Sequence, residues 1–76
     1  MTNFQYIDQQ LEELKHNWYQ ARAQGKTEEV QPVLLDQCFF IATLIKEIRT
    51  TPFNFVQKYY RKKYLFDIAI DIHEDY

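Results

Sequence analysis

The first apolar residues of the chain are spaced like one face of a helix. They recur at intervals of three and four from Phe4 to Ala21, and Gly25 follows the last of them. Thr2 or Asn3 can cap the start of such a helix, and glycine suits the left-handed conformation that often ends one. The pattern predicts a first helix at about residues 3 to 24, with one apolar seam and a broad polar side.

A second apolar stretch follows a polar connection that ends at Pro32. Because proline restrains the residue before it and suits the first turn of a helix, we predict a second helix at about residues 32 to 50. Its apolar residues form two adjacent seams, one from Leu34 to Ile48 and one from Val33 to Leu44. A helix that is apolar around most of its circumference packs against neighbours on more than one side, so this helix is predicted to be central.

A third element is predicted to begin at residue 52. Thr51 is a good cap, and Pro52 fits the first helical position, where a missing amide proton costs little. Four apolar residues then lie three or four apart, which predicts that they form the buried face: Phe53, Val56, Tyr60 and Tyr64.

Two interpretations stay open for the segment after Tyr64. Apolar and polar side chains alternate from residue 66 to 73, which is the rhythm of a strand, but a strand needs a pairing partner and the sequence holds no second convincing one. The alternative is that the third helix continues. The predicted fold class is therefore all-α, a small bundle of a helical hairpin plus a third helix in one domain (residues 1 to 76), with a C-terminal segment that is either helical or extended.

The composition narrows the class of protein. With 46% hydrophobic and 17% aromatic residues, the chain is too apolar for a disordered regulator. No apolar run approaches the length that spans a bilayer, and the N-terminus lacks the features of a signal peptide, so no membrane association is expected. The lone cysteine, Cys38, cannot form an internal disulfide, which favours a reducing, cytoplasmic setting.

Few residues offer catalytic or metal-binding chemistry. Glu13 and His16 have the spacing of one carboxylate–histidine pair, but di-iron bundles draw their ligands from four helices, and both residues fall on the polar side of the first helix. Cys38 lies on the most apolar helix, where a thiol is usually inert. The chain contains no serine and one glycine, so it lacks a phosphate-binding loop. We therefore predict no enzyme activity, no cofactor and no metal site.

Large aromatic side chains are more numerous than three short helices can enclose. Because such rings are favoured at protein interfaces, we predict a non-enzymatic protein-interaction module, a small regulator or inhibitor that binds a protein partner and forms a homodimer. The candidate partner-binding residues are Trp18, Phe40, Leu44, Phe53 and Phe55.

A basic stretch, KYYRKKY at residues 58 to 64, supports an alternative function in binding nucleic acid. Cations that contact phosphates next to a ring that stacks on a base are typical of sequence-tolerant binders. The chain as a whole is acidic, with a formal net charge of -2, so the stretch is also interpreted as the solvated flank of a helix. The candidate nucleic-acid-binding residues are Lys58, Tyr59, Arg61, Lys62 and Lys63.

Overall fold

The computed structural model describes residues 3–74, which form three helices. These are α1 at Phe4–Gln24, α2 at Thr27–Glu47 and α3 at Phe55–Glu74. α2 packs against both α1 and α3, whereas α1 and α3 make far fewer contacts with each other. The predicted all-α bundle and the central position of its second helix are both confirmed.

Both ends of α1 form as the sequence predicts. The side-chain oxygen of Asn3 accepts a hydrogen bond from the amide of Tyr6 at 2.8 Å and so satisfies one unpaired donor of the first turn. At the other end Gly25 has φ 67°, and the amide of Lys26 donates to the carbonyl of Ala21 at 2.9 Å. The left-handed glycine lets the chain reverse at once into α2.

The predicted start of α2 is wrong, because the helix begins at Thr27 and Pro32 lies inside it. Glu28 and Glu29 occupy the first turn, where carboxylates interact favourably with the positive end of the helix dipole. Pro32 is exposed and lacks the amide proton that would otherwise bond to the carbonyl of Glu28. The helix ends three residues earlier than predicted, because Ile48 has extended dihedral angles.

Thr51 organises the start of the third helix, in agreement with its predicted role as a cap. Its hydroxyl accepts from the amide of Asn54 at 3.1 Å, and its carbonyl accepts from the amide of Phe55 at 2.9 Å. Residues 52–54 form a turn, so α3 begins at Phe55 rather than at Pro52.

The alternating segment near the C-terminus belongs to α3, so the interpretation of residues 65–73 as extended or a strand is wrong. On a helix the alternating isoleucines separate onto different sides. Ile72 is buried and Ile68 is packed against the core, whereas Phe66 and Ile70 remain exposed. The same residues thus supply part of the core and part of the outer surface.

The buried face of α3 also differs from the prediction. Phe53 is 90% exposed, and Val56 and Tyr60 are each exposed by half or more, while Tyr64 is only partly buried. Another stripe of α3, displaced from the predicted one by about one position along the chain, holds buried or half-buried residues instead. Its members follow one another at intervals of three and four, and they are Lys58, Arg61, Leu65, Ile68 and Ile72. Two of these residues, Lys58 and Arg61, are cations, and the periodicity of apolar residues does not reveal buried charged residues.

The core lies between the three helices and is mainly aliphatic. Trp18 is its largest side chain, and the indole nitrogen donates to a carboxylate oxygen of Asp71 at 2.8 Å, which ties α1 to α3. Arg22 reaches the same oxygen at 3.3 Å. The buried residues of the cluster are Ile7, Leu11, Leu14, Trp18, Leu34, Cys38, Ile41, Leu44, Ile45, Leu65 and Ile72.

Pro32→Ala is expected to stabilise the protein. An interior proline costs a helix about 3 kcal/mol, and alanine returns at most about 1 kcal/mol of chain freedom to the unfolded state, so the free energy of unfolding should rise by about 2 kcal/mol. Urea denaturation followed by circular dichroism measures it. Pro52→Ala is the matched control, because Pro52 lies in a turn outside the helices, and it should produce no stabilisation. Equal effects of the two changes would contradict a helix that starts at Thr27.

Candidate protein-binding surface

Two of the predicted partner-binding residues lie in the core and not on a surface. Trp18 is 1% exposed and Leu44 is 6% exposed. Both belong to the seams by which α1 and α2 pack on their neighbours, so their apolar surface is already covered in the folded chain. Their assignment to a partner-binding surface is corrected accordingly.

The other three predicted residues are exposed and lie on two parts of the fold. Phe40 stands two helical turns after Val33, which shares a recess with Ala21 of α1, so its spacing places it on the α1 side of α2. Phe53 lies in the turn before α3, and Phe55 lies in the first turn of α3. Phe40 is thus apart from the other two, which stand two residues from each other.

Lys58 of the basic stretch is buried between α2 and α3. Its ammonium group donates to the carbonyl of Ile48 at 2.6 Å and to the hydroxyl of Thr50 at 2.7 Å. A cation at the carboxyl end of a helix satisfies carbonyl groups that have no partner within the helix. Lys58 therefore closes the end of α2 and is not available to bind phosphate.

Arg61 connects α3 to α1. Its guanidinium donates to both carboxylate oxygens of Asp8, at 2.8 and 3.0 Å, and lies 4.3 Å from the centre of the Phe4 ring. A two-bond arginine–carboxylate pair has a defined geometry, and the aromatic ring adds a cation–π contact. Of the predicted nucleic-acid-binding residues, Tyr59, Lys62 and Lys63 remain exposed.

The side of α3 that points away from α1 carries a row of exposed apolar residues. Phe55, Tyr59, Phe66 and Ile70 follow one another at intervals of four, seven and four, and each is more than half exposed. These intervals place them on one side of a helix. Phe55 and Tyr59 line a recess of about 140 Å³ together with Lys58, Lys62 and Thr50, which belongs to the connection between α2 and α3. The start of the row therefore lies beside the α2–α3 contact.

Phe39 adds an apolar side chain from α2 to this row. It is 75% exposed and continues, at steps of four residues, the line of Gln31 and Leu35. Gln31 donates to the carbonyl of Ile72 at 2.8 Å, so this line begins on the α3 side of α2. Each step of four residues turns it further outward, so Phe39 stands on the outer side of α2 next to α3. Since the two helices run antiparallel with the same rise per residue, Phe39 lies at about the level of Phe66.

These residues define the surface that we call the α2/α3 face, and it consists of Phe39, Phe55, Tyr59, Phe66 and Ile70. Of the five, only Phe55 was among the partner-binding residues predicted from the sequence. In the sequence, Phe39, Tyr59 and Phe66 belong to the large aromatic side chains that exceed what three short helices can enclose. The interval of seven residues between Tyr59 and Phe66 was the signal that could have identified the row.

The described residues offer little for metal binding or thiol chemistry. In residues 3–74 no three of the His, Cys, Asp and Glu side chains come close enough together to hold a metal ion. Burial raises the pKa of the Cys38 thiol from 9.0 to about 11. No helix in the described part of the chain has both the length and the apolar character needed to cross a membrane.

Lys58→Met is expected to lower the free energy of unfolding by about 1 to 3 kcal/mol, because it removes two hydrogen bonds from a charged donor and keeps most of the aliphatic stem. Urea denaturation measures the change. Lys62→Met is the matched control, one helical turn further on and exposed, and should change stability by no more than about 0.5 kcal/mol. Equal losses in the two variants would contradict the structural role of Lys58.

Cys38 is expected to react slowly with a thiol reagent while the protein is folded. At pH 8 a pKa of about 11 rather than 9.0 lowers the thiolate fraction by about 100-fold relative to the unfolded chain. The raised pKa means that the unfolded thiol loses its proton first, so the contribution of Cys38 to stability declines as the pH rises from 9 to 11. Ellman's reagent measures the rate, with urea-unfolded protein as the control. Equal rates would refute the burial.

Comparison with protein-family models, with curated proteins and with solved structures gave no match for this chain. Its function therefore has to be argued from its own surface.

Proposed function

We propose that this chain is a non-enzymatic protein-interaction module, a small regulator or inhibitor that binds a protein partner through the α2/α3 face. The supporting observation is that five large apolar side chains are each more than half exposed. Helical spacing places four of them on one side of α3 and Phe39 on the outer side of the neighbouring α2. Soluble proteins rarely leave a contiguous apolar patch of this kind uncovered, and aromatic residues are enriched where proteins bind one another.

The other two sides of the bundle are less suited to such binding. Between α1 and α2, Val33 lies among the polar side chains of Asn17, Gln20 and Gln24. Between α1 and α3, Tyr60 lies in a recess with several charged side chains, which are Asp8, Glu12 and Arg61. The α2/α3 face has the longer row of large exposed apolar side chains, so it is the better candidate.

The homodimer and the cytoplasmic setting predicted from the sequence remain predictions beside this proposal. The molar mass in solution distinguishes self-association from binding of a different protein. The buried, unpaired thiol of Cys38 is compatible with a reducing compartment.

Nucleic-acid binding has less support than protein binding. Two of the four cations in the basic stretch, Lys58 and Arg61, donate to groups of the protein itself. Affinity for nucleic acid depends on the number of phosphates that cations neutralise, so this loss weakens the alternative.

The proposal is tested by the double variant Phe39→Ser/Phe66→Ser. Proteins bound by the immobilised wild-type chain in an extract of its source cells would be identified by mass spectrometry, and the affinity of the strongest would be measured with purified protein. Loss of two aromatic contacts in a protein interface should weaken that affinity by at least about 100-fold. Light scattering on the wild-type chain, over a range of concentrations, reports whether the partner is a second copy.

The control is Val33→Ser/Phe40→Ser, which removes two exposed apolar side chains from the α1 side of α2. Circular dichroism would establish that both double variants keep their helices. If the control weakened binding as much as the α2/α3 variant, or if the α2/α3 variant bound normally, the assignment of the interface to this face would be wrong.

A further inference from the structure

The α2/α3 face carries positive charge beside its apolar row. Lys62 lies between Tyr59 and Phe66 on α3, and Lys46 follows Phe39 by two helical turns on α2. Both lysine side chains are exposed. Because seven residues return a helix nearly to the same side, Lys46 stands on the same edge of α2 as Phe39.

On α2, Asp36 stands one turn before Phe39 and Glu47 directly follows Lys46, so carboxylates accompany the lysine of this helix. On α3, Lys62 and Lys63 are both exposed beside the apolar row. Asp67 is the one carboxylate in residues 55–70, and it lies on the α1 side of α3, in a recess with Lys15 and Tyr19. The α3 part of the α2/α3 face therefore carries an excess of positive charge, although the chain as a whole is acidic, and a partner of complementary charge is favoured there.

We infer that the partner on this face is an amphipathic helix of another protein, with aspartate or glutamate on both sides of its apolar stripe. This inference rests on the proposed function and specifies its ligand. The row from Phe55 to Ile70 is about 22 Å long at the rise of an α-helix, which is enough for four turns of a bound helix. Apolar anchors laid along the groove between two helices are the usual way in which a protein receives an amphipathic helix.

A second copy of the chain fits the face less well. The intervals of four, seven and four read the same in both directions, so an antiparallel two-fold pair would match Phe55 with Ile70 and Tyr59 with Phe66. The centre of that pair would fall between residues 62 and 63. Lys62 and Lys63 of the two copies would then meet at the symmetry axis, where like charges repel. An acidic helix instead places carboxylates at this position.

A nucleic acid also fits less well, because it presents a negative charge at every nucleotide and the face offers five apolar side chains beside two lysines. Stacking on the aromatic rings would be its remaining contribution. The chemistry of the face is that of an apolar groove with a charged border, which favours a protein helix.

Three synthetic helical peptides of about three heptads test the inference. They share one leucine stripe and differ only in the residues beside it, which are glutamate, glutamine or lysine. Fluorescence anisotropy with the full chain at low salt should show the glutamate peptide binding about tenfold more tightly than the glutamine peptide, and the lysine peptide binding most weakly. Raising the salt concentration should reduce the difference.

Charge variants of the chain supply the controls. Lys62→Glu should abolish the preference for the glutamate peptide, and Lys46→Glu/Lys62→Glu should reverse it in favour of the lysine peptide. Lys26→Glu makes the same change of charge between α1 and α2, at the opposite end of the bundle from Lys62, and should leave the preference intact. Phe66→Ser should weaken binding of all three peptides.

Several outcomes would overturn the inference. These are equal binding of the three peptides, binding of none, tighter binding of an oligothymidylate than of the glutamate peptide, or a stable dimer that Phe66→Ser dissociates. Equal binding that Phe66→Ser still weakens would leave the α2/α3 face as an interface and refute only the acidic helix. Binding of the natural partner that is indifferent to Phe39→Ser/Phe66→Ser would refute the proposed function instead.

Discussion

The narrow apolar seam shared by three helices of nearly equal length is the constraint on which this structure depends. Aliphatic side chains fill almost all of it, and among the described aromatic residues Trp18 is the only buried one. Side chains in a packed core sit in well-defined rotamers, and here most of them are branched aliphatic residues. The other described rings are all at least partly exposed, so a mainly aliphatic core goes together with an aromatic surface.

The second consequence of the narrow seam is that two cations complete it on α3. Lys58 and Arg61 stand at seam positions near the start of the helix, where Lys58 satisfies the end of α2 and Arg61 pairs with Asp8 of α1. Near the other end of α3, Asp71 accepts from Trp18 of α1. Directional polar contacts thus orient α3, whose apolar contact with α1 is small.

The proposed function depends on the charged and aromatic side chains that stay exposed in this fold. Because Lys58 and Arg61 bind groups of the protein itself, fewer cations of the basic stretch remain to bind phosphate. Lys62 stays exposed beside the aromatic row. An apolar strip with Lys62 and Lys63 beside it differs from both a phosphate-binding patch and a self-complementary dimer face. That combination is why an acidic amphipathic helix is the partner we propose.

Local signals were sufficient to predict the helices and the buried side of α1, but not the buried side of α3. The cap at Asn3, the left-handed Gly25, the role of Thr51 and the seam of α1 all depend on residues close in sequence, and each was predictable. The start of α2 was not, because the Gly25 turn positions the chain for a helix that accommodates Pro32. On α3 two stripes competed, and the one containing Lys58 and Arg61 lies inside because the carbonyl of Ile48 and the carboxylate of Asp8 receive these cations. Those partners come from other helices, so only the tertiary structure decided which side of α3 is buried and which rings form the α2/α3 face.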